Sequence, residues 1–240
     1  MDGYRRSFSR FELKYLIRYK DYLFFRDVIR NYVEPDPYCD REGFYKISSL
    51  YYDSPDYLCF WEKIEGLKFR RKFRIRTYDN DDSRMGFMEI KQRIDRTLQK
   101  RRTRVPLDVA RNYVDDVETS PYRPGEDRVL DEIFYLVKSQ LLEPRMVISY
   151  QREAFMGIYE SGLRITFDHR CKYRDKELEI GGIFDEGKYF LPPELAIMEI
   201  KFNEVVPLWL CSYLNRLECR VQRISKYCTA VEAAVYGGQI

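Results

Sequence analysis

Histidine is almost missing from this 240-residue chain, which has one, His169. A Ser-His-Asp triad or a histidine-rich zinc centre would have to rest on that single imidazole. The six cysteines are Cys39, Cys59, Cys171, Cys211, Cys219 and Cys228, and no two have C-x-x-C spacing. A zinc ribbon and a thioredoxin-type motif are therefore excluded. The first residues, Met1-Asp2-Gly3-Tyr4-Arg5-Arg6, carry no apolar signal region. Reduced thiols in the cytosol are the resulting expectation, with Cys211, Cys219 and Cys228 as small buried hydrophobes. No run approaches the roughly 18 apolar residues of a membrane span. Neither G-x-x-x-x-G-K-[ST] nor G-x-G-x-x-G occurs, so any phosphate must be held by side chains.

Arginine is abundant. The chain has 28 Arg against 14 Lys, and its formal net charge is only +3. The small net value hides an asymmetry. Residues 60–105 hold 15 Lys or Arg against 7 Asp or Glu, a local net charge of +8. Such a block implies an anionic partner or a strong field. Apolar residues reach 45% and aromatics 16%, enough for a packed core, and with the small net charge this argues against disorder.

Periodicity predicts about eight strands and five helices. The strands fall at 11–19, 45–52, 68–78, 86–94, 97–105, 145–156, 163–174 and 194–203. Helices are expected at 20–33, ended by Pro35 and Pro37, and at 54–65, with Ser54 as N-cap and Gly66 at the C-terminal end. Others are expected at 127–140, from Pro207 to 217, and at 225–236 with Ser225 as cap; residues 107–114 suit a short helix. Loops are expected at Asp79–Arg84, at 119–126 and around Gly181-Gly182, and a tight turn at Asp95-Arg96. The order does not alternate strand and helix, which disfavours a doubly wound parallel sheet and predicts antiparallel pairing in one α+β domain.

The strands share one device. Lys68, Arg70, Lys72, Arg74 and Arg76 lie two apart, so they face one way while Phe69, Phe73 and Ile75 face the other. Glu12 and Lys14, Glu89 and Lys91, the trio Lys100, Arg102 and Arg104, Tyr150 and Arg152, Arg164 with Thr166 and Asp168, and Glu199 and Lys201 repeat it. A one-sided sheet facing water would also alternate in this way. If helices instead cover the apolar faces and the sheet closes, the charges line a lumen that needs water, a polyanion and a divalent cation. Arg suits phosphate because its planar fork binds two oxygens at once.

These residues carry a resemblance. Phe11-Glu12-Leu13-Lys14-Tyr15, Ser49-Leu50-Tyr51-Tyr52-Asp53-Ser54-Pro55, Lys72-Phe73-Arg74-Ile75-Arg76 and Met88-Glu89-Ile90-Lys91 resemble the VTC (vacuolar transporter chaperone) polyphosphate polymerase domain, within the CYTH superfamily of triphosphate tunnel metalloenzymes. So do Lys100-Arg101-Arg102, Tyr150-Gln151-Arg152, Arg164-Ile165-Thr166-Phe167-Asp168, Met198-Glu199-Ile200-Lys201 and Ser225-Lys226-Tyr227. The resemblance spans nearly the whole chain. It implies an eight-stranded antiparallel β-barrel tunnel with outer helices over residues 1–240.

By resemblance, Arg74, Arg76, Lys91, Arg152 and Arg164 are catalytic cations, and Lys14, Lys100, Arg102, Lys201 and Lys226 bind substrate. Glu199 is the expected ligand of Mn²⁺ or Mg²⁺, with Glu12 and Glu89 as further metal carboxylates. Hydrolytic superfamily members begin with E-x-E-x-K; here the frame reads Arg10-Phe11-Glu12-Leu13-Lys14, which suits the polymerase branch. The implied reaction passes the γ-phosphoryl of ATP to polyphosphate in a cytoplasmic enzyme. A metal-dependent triphosphatase and a non-catalytic polyphosphate-binding module remain open. Nucleic acid is not expected as a partner, because Glu89 and Glu199 share the charged faces and would repel its backbone. His169, opposite the Arg164 face, reads as structural or solvent-exposed. Trp61 and Trp209 read as packing residues, and Tyr51-Tyr52-Asp53 as a brace outside the chemistry.

Overall fold

The computed structural model describes residues 10–79, 84–95, 97–115, 121–123, 125–181 and 185–237, without the side chains of Arg10 and Asp115. Residues 1–9, the expected loop at 80–83, Arg96 of the expected turn, residues 119, 120 and 124 of the next loop, and Gly182 lie outside them. In chain order the elements are β1 (Arg10–Arg18), α1 (Tyr19–Ile29), β2 (Val33–Pro35), β3 (Phe44–Asp53), α2 (Leu58–Ile64), β4 (Phe69–Tyr78), β5 (Met85–Ile94), β6 (Thr97–Pro106), α3 (Leu107–Asp115), α4 (Arg128–Gln140), β7 (Glu143–Gly157), β8 (Arg164–Arg174), β9 (Lys188–Tyr189), β10 (Leu195–Asn203), α5 (Leu208–Arg216) and α6 (Lys226–Val235). The class is α+β, and the eight expected strands are present. Every described ladder is antiparallel.

Two compact units divide the chain: Met1–Tyr45, Gln151–Arg170 and Leu191–Ile224 form the first, and Lys46–Tyr150, Cys171–Phe190 and Ser225–Ile240 the second. In the first unit β1 pairs with β10 and β10 with β8. The register sets Leu13 opposite Ile200, Tyr15 opposite Met198, and Met198 opposite Phe167. Period-two alternation thus gathers one apolar face, covered by Tyr22, Phe25 and Ile29 of α1 and Leu210 and Leu214 of α5. Helix α1 stops at Ile29, short of the expected residue 33. Val33 instead leaves to pair with Gly157 in the short β2, where Pro35 opposes Phe155. A three-residue strand tolerates proline where a helix interior does not.

In the second unit the ladder runs β3-β4-β5-β6. Leu50, Ile75 and Met88 stack across it, as do Tyr52, Phe73 and Ile90. Helices α3 and α4 cover that face with Ala110, Tyr113, Leu130, Ile133 and Leu136; each of the Leu and Ile side chains contributes about 1.5–3 kcal/mol by burial. Gly86 permits the approach, since a Cβ there would lie 3.2 Å from Leu107 and 3.3 Å from Ile75. Asp127 caps α4 through the amides of Val129 and Leu130.

Helix α2 begins at Leu58, not Ser54. The reason is Asp53, whose buried carboxylate accepts from the amides of Ser54, Cys59 and Phe60 and so becomes the anchor of the helix start. Ser54 Oγ accepts from Leu58 N at 2.9 Å, one turn later than expected. The C-terminal expectation holds: Gly66 has φ +75°, and Leu67 N donates to Glu62 O. Ser225 caps α6, accepting from Cys228 N. Cys228 is buried as expected, whereas Cys211 and Cys219 are half-buried, Cys219 lying beyond the end of α5. Among the described residues no helix is long and apolar enough to cross a membrane.

Candidate functional site

The apolar faces decide where the charges go, because the alternate residues of the same strands must point the other way. In the second unit, register makes the outcome explicit. One rung across β4, β5 and β6 is Lys72, Lys91 and Lys100; the next is Arg74, Glu89 and Arg102; the third is Arg76, Phe87 and Arg104. Seven cations and one carboxylate thus occupy three adjacent rungs. Like charges directly opposite on a sheet destabilise it, so this face is built against its own stability.

Glu89 is a resident counter-ion of this face. It is 1% exposed; Arg74 Nη2 approaches its Oε2 at 2.7 Å and Lys100 Nζ its Oε1 at 2.5 Å. Burial alone would raise its pKa, but Arg74, Arg76 and Lys100 hold it well below the usual carboxylate range. Lys100 is brought down to about 8 by burial and by Arg74 and Arg76, against the attraction of Glu89.

Arg76 is buried, yet among the described residues its side-chain partners are hydroxyls. Nε donates to Ser49 Oγ at 3.1 Å and Nη2 to the Tyr150 hydroxyl at 3.2 Å. Phe87 carries Arg102 over its ring at 4.9 Å and Arg104 at 5.8 Å. Lys226, the first residue of α6, sits 4.9 Å from the centroid of Tyr150. Arg101, on the opposite face, is bound by Glu132 of α4 and Gln92 and is separate from the cluster.

The first unit has a different face, with charges of alternating sign. Its rungs across β1, β10 and β8 are Glu12, Lys201 and Arg164, then Lys14, Glu199 and Thr166. Lys14 Nζ lies 3.2 Å from Glu12 and 3.1 Å from Glu199, while Lys201 Nζ lies 3.7 Å and 3.5 Å from the same carboxylates. Burial lowers the Lys201 pKa against the pull of Glu199. Arg152 grips buried Asp168 with two bonds, 2.5 Å and 2.7 Å, and reaches Glu199 at 3.8 Å. Arg164 bonds Asp36 at 2.7 Å and the Tyr45 hydroxyl at 3.1 Å.

Among the described residues no three His, Cys, Asp or Glu side chains are grouped to hold a metal. The donors at Glu12 and Glu199 nonetheless suit a hard divalent cation. Mg²⁺ and Mn²⁺ take oxygen ligands, and Mg²⁺ commonly uses one or two carboxylates plus substrate oxygens. The Thr166 hydroxyl, opposite Glu199, is buried with no hydrogen-bond partner among the described residues, a further oxygen at the same rung. Glu89, by contrast, is committed to Arg74 and Lys100.

All thirteen expected site residues fall in one or other group. Lys14, Arg152, Arg164, Lys201, Glu12 and Glu199 belong to the first unit; Arg74, Arg76, Lys91, Lys100, Arg102, Lys226 and Glu89 belong to the second. Sequence reading missed the carboxylate partners. Asp36, between two prolines, gave no periodic signal, and Asp168 was noted on the charged face without its bidentate role. The expected brace Tyr51-Tyr52-Asp53 divides between two sides of the sheet and a helix start. Tyr51 shares the face of Arg74, whereas Tyr52 points into the core and Asp53 anchors α2. His169 is buried against Tyr19, Tyr22 and Phe44, and among the described residues neither ring nitrogen has a hydrogen-bond partner, which fits the structural reading and not the exposed one.

Comparison with solved structures gives remote matches. A Vibrio parahaemolyticus protein provisionally named an adenylate cyclase is 12% identical, with a TM-score of 0.44 over 92% of this chain and 96% of that one. A Bacillus halodurans protein with the same provisional name is 12% identical, with a TM-score of 0.49 over 89% and 92%. The PH1819 protein of Pyrococcus horikoshii is 16% identical, with a TM-score of 0.45 over 92% and 99%. No curated protein matches the chain. The family comparison is direct, since the VTC domain model matches residues 9–235. With a match over nearly its full length, this chain belongs to the VTC domain family.

Proposed function

We propose that this protein is a metal-assisted polyphosphate polymerase, transferring the γ-phosphoryl of ATP to the end of a polyphosphate chain. One observation carries the reading: the three rungs of the second unit set seven cations against one glutamate, a face whose repulsion a polyphosphate anion relieves. Membership of the VTC family and Arg10 in place of the first glutamate of E-x-E-x-K support the polymerase branch.

Phosphoryl transfer needs positioning and charge neutralisation more than covalent help. Arg74 and Arg76 bind equatorial oxygens of the transferring group, with Lys91, Lys100 and Arg102 along the same face and Lys226 at the start of α6. Arg152 and Arg164, each already paired with a carboxylate, act as fixed positive posts of the first unit. A terminal oxygen of the polyphosphate, ionised at neutral pH, forms the new bond to the γ-phosphorus as the bond to the bridging oxygen of ADP breaks. No general base is required, which suits a chain with one buried histidine. Glu199 and Glu12 would hold Mn²⁺ or Mg²⁺, whose chemistry is to neutralise non-transferred oxygens. Lys14 and Lys201, beside the same two carboxylates, would bind substrate phosphate.

Incubation of purified protein with ATP and Mn²⁺, followed by gel analysis, tests the proposal. Long polyphosphate chains and ADP are expected. Phosphate, pyrophosphate or short products alone overturn it in favour of a triphosphatase, and binding without turnover in favour of a polyphosphate-binding module.

A further inference from the structure

Tyr51 stands opposite Arg74 across the β3–β4 ladder and is 7% exposed. Two contacts fix it. Arg74 Nη1 donates to its hydroxyl oxygen at 2.7 Å, and its ring stacks on Tyr227 of α6 with centroids 5.1 Å apart and planes inclined by 19°. Tyr227 is itself anchored, its hydroxyl donating to Asp53 Oδ2 at 2.5 Å. The phenol therefore has a set place at the edge of the Arg74–Arg76 pair.

A tyrosine hydroxyl has one proton to give and lone pairs to offer, whereas a guanidinium only donates. Arg74 thus uses a lone pair and leaves the proton. Among the described residues no acceptor receives that proton, although buried hydroxyls ordinarily find one. The charges acting most strongly on it are those of Arg74, Arg76 and Lys226, so an incoming anion is the acceptor the site lacks.

We propose that Tyr51 is a substrate-contacting residue of the phosphate site: its O–H donates to a phosphate oxygen while its lone pair holds Arg74 in place. This rests on the reading of the cationic face as a triphosphate site. The contact also separates neutral from ionised tyrosine. Burial would raise the phenol, but Arg74, Arg76 and Lys226 outweigh it and bring the group to about 8. Above that pH the proton is gone and a negative charge faces phosphate.

Other charged or titratable groups bear on the same place. Arg74 and Arg76 come from β4, Glu89 from β5, Lys100 from β6, Tyr150 from β7, and Lys226 and Tyr227 from α6. Lys100 also titrates at about 8, so the effect must be read as a ratio between two proteins that both carry it.

The test is calorimetric titration of inorganic tripolyphosphate, without metal, into wild type and Y51F at pH 7 and pH 9. Tyr51→Phe keeps the ring stack and removes only the hydroxyl. At pH 7 the variant is expected to bind about tenfold more weakly, the effect of one hydrogen bond to a charged acceptor. At pH 9 the difference disappears. Ultraviolet titration of the free protein should show one tyrosine ionising near pH 8, absent from Y51F and shifted upward by tripolyphosphate. Equal affinities at pH 7 overturn the inference, and so does a deficit that persists unchanged at pH 9, which marks a steric role. A wild-type protein that binds no tripolyphosphate overturns the functional reading and this inference with it.

Discussion

Arg74 and Glu89 stand directly opposite one another across the β4–β5 ladder, and their side chains meet at 2.7 Å. The same carboxylate holds Lys100 from the neighbouring strand. One buried glutamate therefore neutralises two of the seven cations on that face, and a bound polyanion would compete with it for both.

Replacing that counter-ion should have opposite effects on stability and on binding. Glu89→Gln is expected to destabilise the fold by about 1–3 kcal/mol, the usual consequence of losing a buried charged hydrogen-bond partner. Affinity for tripolyphosphate without metal should rise at least severalfold. Thermal melts and calorimetry measure the two quantities. Weaker metal-free binding would show that Glu89 orders the cations rather than masking them.

Arg76 differs from Arg74 in having hydroxyl partners and no carboxylate among the described residues. Arg76→Ala should therefore lower triphosphate affinity by about 100-fold, on the order of the loss of a bidentate charged contact, with little change in melting temperature. Arg76→Lys keeps the charge but not the planar fork and should fall between the two. A large drop in melting temperature for Arg76→Ala, with affinity retained, would assign the residue to the fold.

Metal dependence is expected to reside in the first unit. Wild type with tripolyphosphate should gain thermal stability on adding Mn²⁺, since a ligand that binds only the folded state shifts the melt. Glu199→Gln should abolish that gain. Glu89→Gln should retain it, because Glu89 is committed to Arg74 and Lys100. The reverse pattern in differential scanning fluorimetry would move the metal to Glu89.

His169 makes a stability prediction with a defined sign. Burial pushes its pKa down to about 4 from the ordinary 6.5, with Asp168 opposing and Arg170 and Arg26 adding to the fall. The unfolded chain takes up a proton below pH 6.5 while the folded protein resists until about pH 4. Stability is thus unaffected above pH 6.5, falls between 6.5 and 4, and is roughly 3 kcal/mol lower beneath that window. His169→Phe, which keeps an aromatic ring among Tyr19, Tyr22 and Phe44, should lose this part of the acid limb in denaturant titrations at pH 7 and pH 4.5. An unchanged acid limb would place the loss on carboxylates instead.

Much of this arrangement was legible before any coordinates. The segment from Lys68 to Arg76, most of which forms β4, has cations at its even positions, and a period of two can only place them on one face. Helix α2 was less legible. Ser54-Pro55 is a good local start signal, but the carboxylate of Asp53, one residue earlier, takes three amides and moves the start to Leu58. Likewise α1 was expected to end four residues later, because the pairing of Val33 with Gly157 joins residues 124 positions apart and leaves no trace in a local window.

Alternation by itself determined which side chains share a face, because backbone geometry sends successive Cβ atoms to opposite sides of a strand whatever the partner. Composition limited any histidine chemistry to His169, and cysteine spacing excluded a zinc ribbon and a thioredoxin-type motif. What only the tertiary structure decided was pairing. Register set Lys72, Lys91 and Lys100 on one rung and gave Glu89 to Arg74. It set Glu12 and Glu199 between Lys14 and Lys201, supplied Asp168 to Arg152 and Asp36 to Arg164, and left the Tyr51 proton without an acceptor among the described residues. Those relationships depend on which strand lies beside which and at what offset. Long-range burial selects that offset, and a charged residue read in its own sequence neighbourhood carries no record of it.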